Sequence, residues 1–403
     1  MSGKYQIIFA IWLLQLVNYI ERVVMGFAAP TMMKSLGIDT TQMGVVMSSF
    51  AVGYLLTQIP GGLIADKWGA RVVLVVGPLF WALFTGLTGL AVTVTTLVVV
   101  RLFFGIAEGL SNVASYKVVG DNFDPTARAR AVSIWVTAFA AAPVLAGPAV
   151  GYLLSSFSWH VVFFLLAIPA LVAAAVNYIC LPVSPAYQSI GSEEDGHNVW
   201  PLLREPSLWL IGLAFCLWSI AYWGVLGWMP TYLSMERHID VKGAGLMSAV
   251  PYLFGFVGLF FSGWLGGGPM SRQRPYLLAM FYIGGCLSLY FAYVADTLAS
   301  SLVGLSGAAF FIYGALGTYG AVVLDFAPPR SRAAFSGMTG TIGQIGSVLA
   351  PIVIGYLVTE TGSFASGFFF MGGALFIAGL AALALVPLAG AKRAALLRKA
   401  TSS

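Results

Sequence analysis

The chain has 403 residues, of which 59% are hydrophobic and only 9% charged, and its mean hydropathy is +0.89. A soluble domain carries roughly 25% charged residues, so a water-soluble enzyme is excluded and the solvent around most of this surface must be lipid. The net charge of +5 therefore reads as a statement about membrane topology, with no nucleic-acid partner implied.

An α-helix rising 1.5 Å per residue crosses about 30 Å of hydrocarbon in about 20 residues. Apolar windows of that length, bounded by charges and turn residues, predict twelve helices at 5–30, 43–65, 72–93, 95–118, 128–155, 159–182, 206–233, 243–268, 275–296, 299–326, 333–360 and 364–388. The first apolar run, Ile7 to Ala29, is broken by Glu21 and Arg22 and has no small-residue cleavage site, so it is expected to be retained. The polar stretch Ser184 to Arg204, with Glu193, Glu194 and Asp195, suits a linker between two halves. The halves echo each other about 200 residues apart. Met47-Ser48-Ser49 is matched by Met247-Ser248-Ala249, and Asp121 with Arg128-Ala129-Arg130 by Asp325 with Arg330-Ser331-Arg332. The expected organisation is an all-α membrane protein with an N-terminal six-helix bundle (1–182), a cytoplasmic linker (183–205), a C-terminal six-helix bundle (206–388) and a basic tail (389–403).

Basic residues set the orientation. Lys67, Arg71, Arg128, Arg130, Arg272, Arg274, Arg330 and Arg332 fall in alternate turns, on the side of Lys4 and of the basic tail, against Lys34, Arg237 and Lys242 opposite. The positive-inside rule then puts both termini in the cytoplasm.

Four ionisable residues interrupt the apolar spans, namely Glu21, Arg22, Arg101 and Glu108. An intramembrane charge costs from about 2.5 to about 17 kcal/mol, depending on how it is measured, so such residues are functional candidates by default. Glu21 lies about 24 Å along the first span and Glu108 about 20 Å along the fourth. Adjacent in sequence, Glu21 and Arg22 point about 100° apart and do not simply neutralise each other. Arg101 and Glu108 share a helix face two turns apart, and their partners are expected on other helices. A fixed structural charge network is the bland alternative to substrate binding and proton coupling.

The segment Gly61-Gly62-Leu63-Ile64-Ala65-Asp66-Lys67-Trp68-Gly69-Ala70-Arg71 is similar to the signature G-x-L-a-D-r-x-G-x-r of the major facilitator superfamily. That resemblance implies the twelve-helix, pseudo-symmetric fold. It also implies a cytoplasmic conformational latch built from Gly62, Asp66, Gly69 and Arg71, to which Arg128 and Arg130 of the next basic turn are added. The corresponding turn of the second half keeps Arg272 and Arg274 but lacks the aspartate.

Three further segments resemble the anion:cation symporter family. They are Asn18-Tyr19-Ile20-Glu21-Arg22 running on to Pro30, Arg101-Leu102-Phe103-Phe104-Gly105-Ile106-Ala107-Glu108, and Trp228-Met229-Pro230-Thr231-Tyr232-Leu233. The resemblance implies that Arg22 anchors a substrate carboxylate and that Glu21 and Glu108 are the proton sites, with Arg101 grouped beside them as a proton-coupling candidate. The chemistry agrees, because a guanidinium is permanently charged and holds a carboxylate bidentately. Glutamate stands at Glu21 where the family favours aspartate, and Gly340 stands on the eleventh span where asparagine is common, with Gln344 at the second position of that pattern. Tyr19, Tyr54, Trp218, Tyr222, Trp223, Tyr313, Tyr319 and Gln344 are the candidate cavity walls. Trp228 is open to two roles, interfacial anchor or packing.

The functional expectation is a proton-coupled symporter importing a small organic anion, such as a sugar acid or an aromatic or aliphatic acid, by alternating access in a bacterial inner membrane. It is expected to work as a monomer, with lipid and protons as its other partners and without cofactor, metal or enzymatic activity. A proton-driven multisubstrate exporter is the alternative, and a non-transporting nutrient receptor a remote one.

Overall fold

The computed structural model describes residues 2–182, 200–328 and 331–401, so most of the expected linker, with Glu193, Glu194 and Asp195, and also Arg330, lie outside the described residues. Twelve long helices appear where the apolar windows place them: α1 (Ser2–Leu36), α2 (Thr40–Trp68), α3 (Ala70–Thr88), α4 (Val94–Asn122), α5 (Pro125–Ser156), α6 (Trp159–Cys180), α7 (Pro206–Met235), α8 (Val241–Gly267), α9 (Arg274–Val294), α10 (Leu298–Phe326), α11 (Arg332–Thr361) and α12 (Ala365–Thr401). A single helical turn, Trp200–Leu203, precedes α7. Among the described residues there is no strand. Among the described residues, eleven helices are long and apolar enough to cross a membrane. The protein is an integral membrane protein.

Three boundaries depart from the sequence reading by five residues or more. The first helix runs through Pro30 to Leu36. The third stops at Thr88, because the Gly89 and Leu90 N–H groups turn back onto the Gly86 and Leu87 carbonyls. The last continues to Thr401, since the Ala-, Leu-, Lys- and Arg-rich tail is made of strong helix formers.

Helix starts differ between alternate turns. Side chains cap α2 (Asp39, a capping box with Gln42), α4 (Thr93), α6 (Ser158) and α10 (Thr297, with Ser300), each satisfying an otherwise orphaned N–H. The helices that follow the basic turns, α3, α5 and α9, have no side-chain cap. Gly69 joins α2 to α3 at φ +86°, a backbone conformation that glycine adopts without a Cβ penalty.

Contacts divide the chain into two units, one formed by 2–182 with Leu226–Val250 and Pro351–Ser363, the other by 200–225, Pro251–Ala350 and 364–401. In the first, α1 packs on α5, α2 on α4, and α3 on α4 and α6. In the second, α9 packs on α10 and α12, while glycines bring α8 against α10 (Gly258 at Phe310) and α11 against α7 (Gly346 at Cys216). Shifting each helix number by six maps one set of pairings onto the other, which is the internal repetition expressed as packing.

Candidate substrate site

Gly105 fixes the geometry of the site. A Cβ there would run into the Phe50 carbonyl and lie 2.9 Å from the Tyr54 nitrogen, so only glycine lets α4 lie on the α2 backbone at this level. The crossing carries Phe50 and Tyr54 of α2 towards α1 and leaves Glu108, almost one turn beyond Gly105, facing the same way.

There Arg22 meets Glu108. The Nε of Arg22 donates to Oε1 of Glu108 in an ion pair whose side chains are 2% and 0% exposed. The guanidinium carbon lies 4.4 Å from the ring centre of Tyr19, 4.7 Å from that of Tyr54 and 5.5 Å from that of Phe50. Three aromatic faces thus supply quadrupolar attraction to a cation removed from water. Tyr19 is steadied by an edge contact with Phe139 at 4.7 Å. One turn before Arg22 on the same face of α1, Asn18 is a buried polar neighbour of the Glu108 carboxylate. Oε2 of Glu108 has no hydrogen-bond partner among the described residues.

Glu21 points elsewhere, as the 100° step requires. Its Oε2 accepts a 2.9 Å hydrogen bond from Thr85 Oγ1 on α3, and its Oε1 has no partner among the described residues. Arg101 is its charged neighbour, buried between Phe104 and Phe163 with the guanidinium 5.0 and 5.1 Å from their ring centres. Two charge groups therefore stand back to back. Arg22 and Glu108 share the aromatic cage of α1, α2 and α4, and Glu21 and Arg101 lie against α3, α4 and α6.

In the second unit, Phe215, Trp218 and Tyr222 recur at helical spacing on one face of α7 and stack at 5.1 and 4.9 Å. Tyr319 stacks on Phe215 at 4.1 Å, and Tyr313 meets Tyr222 edge-on at 5.2 Å. The Trp218 indole N–H donates to the Ile312 carbonyl at 2.7 Å, which fixes the ladder's height. Trp223 and Gln344 are half-buried. Of the sequence candidates, Tyr19, Arg22, Tyr54 and Glu108 come together in one unit, and Trp218, Tyr222, Tyr313 and Tyr319 in the other. Thr85, Phe50 and Phe215 were missed, since nothing in their local sequence distinguishes them from core residues.

The Trp228 to Leu233 segment has a packing role. Trp228 is buried, which excludes the interfacial-anchor alternative. Thr231 donates to the Gly26 carbonyl at 2.9 Å, and Gly26 itself lies on Gly227, joining α7 to α1 one turn beyond Arg22. In the same unit Gly147 of α5 lies on Gly245 of α8, and Thr40 of α2 donates to the Gly355 carbonyl of α11 at 2.8 Å.

The basic turns bind helix ends. Arg71 donates to the Tyr178 carbonyl at the end of α6 and lies over its ring, and Arg128 donates to the Gly120 and Phe123 carbonyls at the end of α4. Gly62 and Asp66 fall within α2, and the Asp66 side chain is outside the described residues. In the second half Arg274 holds Asp325 through both carboxylate oxygens, at 2.7 and 2.9 Å, and also donates to the Gly266 carbonyl. The acid missing from that turn is thus supplied by the end of α10.

The sequence profile of the Major Facilitator Superfamily matches residues 11–351. The chain belongs to that superfamily. It is 28% identical over 403 aligned residues to the hexuronate transporter of Bacillus subtilis (strain 168), covering 96% of this chain and 95% of that one. It is also 28% identical to a probable galactarate/D-glucarate transporter, GudP, of the same organism, covering 96% and 92% of the two chains. In fold, this superfamily member superposes with a TM-score of 0.79 and 17% identity on an inward-facing, unoccupied bacterial homologue of the human lysosomal transporter Spinster, over 96% of each chain.

Proposed function

We propose that this superfamily member is a proton-coupled symporter that imports a small organic acid of the sugar-acid class across a bacterial inner membrane, with both termini cytoplasmic. The observation that carries the reading is the buried Arg22, a permanent cation in an aromatic cage that is ion-paired with the Glu108 carboxylate. Relatives named for hexuronate and for galactarate or glucarate supply the substrate class.

The pairing explains how substrate and proton binding are linked. In the empty protein the Glu108 carboxylate occupies the guanidinium that a substrate carboxylate needs. Protonating Glu108 removes the competitor, and the incoming anion takes over Arg22 through two parallel hydrogen bonds while the Tyr19 and Tyr54 rings stay in place. Proton and anion then bind together, because neither the bare cation nor two carboxylates on one cation is tolerated in a buried site. Co-binding also offsets the opposition of about 2.3 kcal/mol per charge per 100 mV that an anion meets on entering against an inside-negative potential. Glu21, held by Thr85 and facing Arg101, is the second acid available to this exchange. Gly26 lies four residues from Arg22, about 6 Å along α1, so a change at the guanidinium is adjacent to the α1–α7 crossing that must part for the outer side to open. The aromatic ladder of α7 and α10 offers flat faces to the carbon skeleton of a ligand, and Gly69, Arg71 and Arg128 organise the inner turns as a latch.

The test is uptake of labelled glucuronate into proteoliposomes under an imposed pH gradient. Uptake is expected to be driven by inside-alkaline gradients, abolished by protonophore and lost in Arg22→Ala. Uptake indifferent to both the gradient and the protonophore would sink the proposal. Inhibition by neutral or cationic drugs instead of by carboxylates would favour the multisubstrate exporter.

A further inference from the structure

Not all of the basic residues at the inner turns are occupied. Arg128 is spent on the carbonyls that end α4, but Arg130, two residues on, is exposed and has no hydrogen-bond or ion-pair partner among the described residues. It borders a cavity of about 200 Å³ formed by the first turns of α1 and the α4–α5 connection, where Lys4 and Arg130 flank Tyr5, Ile8, Phe123 and Ile134. We propose that this cavity binds the headgroup of an anionic phospholipid, with Lys4 and Arg130 on the phosphate and the apolar residues beneath the glycerol and upper acyl chain.

Three observations lead there. The two cations stand in the first two turns of α1 (Ser2–Leu36) and α5 (Pro125–Ser156), ahead of the apolar stretches of both helices, so the cavity lies at the depth of the headgroup layer. A soluble anion has no use for the floor. Tyr5, 72% exposed, together with Ile8, Phe123 and Ile134, offers an apolar surface that suits an amphiphile. Finally, the local acid is already engaged. Asp124 stands at the N-cap of α5 yet makes no side-chain cap, and its Oδ2 instead accepts from Lys4 Nζ at 2.9 Å. That pair is half-open to solvent, with side chains 52% and 73% exposed, so a phosphate can displace the carboxylate from Lys4 at little cost. The lysine beside Asp124 holds its carboxyl below the usual aspartate range, so Asp124 stays charged at neutral pH and acts as the competitor. The site is independent of the transported anion.

The experiment is thermal unfolding of the full-length protein in neutral detergent during titration with a short-chain phosphatidylglycerol. Parallel titrations use short-chain phosphatidylcholine, glycerol 3-phosphate and inorganic phosphate. Phosphatidylglycerol alone is expected to stabilise with a saturable midpoint. Arg130→Gln and Lys4→Gln should each raise that midpoint about fivefold, whereas Asp124→Asn, which frees Lys4, should lower it. Should Arg130→Gln fail to fold, Lys4→Gln and Asp124→Asn carry the same test, because they must move the midpoint in opposite directions. Equal stabilisation by phosphatidylcholine would overturn the charge recognition, and equal stabilisation by phosphate or glycerol phosphate would make this a soluble-anion site. Midpoints unchanged by the substitutions would overturn the assignment to this cavity.

Discussion

Replacing Glu108 by glutamine separates a carboxylate that competes for Arg22 from one that merely neutralises it. The variant keeps the shape of the side chain but removes its charge from a pair whose members are 2% and 0% exposed. Breaking a buried ion pair from one side costs about 3–5 kcal/mol, and a hydrogen bond from the charged guanidinium to the glutamine amide oxygen returns about 1.5–3 kcal/mol of it. About 1–2 kcal/mol therefore remains unsatisfied at Arg22, and a ligand carboxylate that takes the guanidinium recovers it, a factor of about 5–30 in affinity. Isothermal calorimetry with glucuronate should show wild-type binding weakening as pH rises and the Glu108 carboxylate re-forms. Glu108→Gln should bind 5- to 30-fold more tightly at neutral pH, by the same estimate, with no pH dependence. In proteoliposomes the variant should retain counterflow but lose concentrative uptake, because no proton accompanies the anion. Weaker binding in Glu108→Gln, with the wild-type pH dependence intact, would refute the competition.

Two further substitutions probe the supports of the site. An alanine methyl at Gly26 would lie 3.1 Å from the Gly227 carbonyl carbon and 3.4 Å from the Leu226 oxygen, whereas one at Gly227 meets only the Met47 sulfur at 3.7 Å. Gly26→Ala should lower stability by about 1–3 kcal/mol while Gly227→Ala is near neutral, and thermal melts that rank the two the other way would overturn the assigned crossing. Thr85→Val removes the hydroxyl that donates to Glu21 while keeping the branched shape, leaving a buried carboxylate oxygen without its donor at a cost of about 1–3 kcal/mol. Thr85→Ser should melt like wild type, and equal melting of both variants would mean that the hydrogen bond contributes nothing.

Much of the fold was legible because membrane insertion imposes a one-dimensional rule: spans must be long, apolar and backbone-satisfied. The windows read from hydropathy lie within the observed helices apart from a few residues at their ends. Misses occurred where local backbone chemistry overrode hydropathy, as at Gly89, or where helix propensity outlasted the apolar run, as in the tail beyond 388. The importance of Glu21, Arg22, Arg101 and Glu108 was equally legible, since a charge in an apolar span announces itself.

Their pairing was not. Whether Arg22 would face Glu21, Glu108 or no acid at all depends on which helices touch and at what height, and that depends on Gly105 letting α4 rest on the backbone of α2. Thr85 and Phe50 carry no sequence signal, because a hydroxyl or a ring in a membrane helix acquires meaning only from what stands opposite. In the second half the acid for Arg274 comes from Asp325, at the far end of the next helix, where no local motif could place it. Sequence alone determined how many helices there are, where they run and which of them carry charge, because each of those properties belongs to a single segment meeting lipid. Only the tertiary structure decided which charge meets which, because ion pairs and cages act over a few ångströms between segments far apart in the chain.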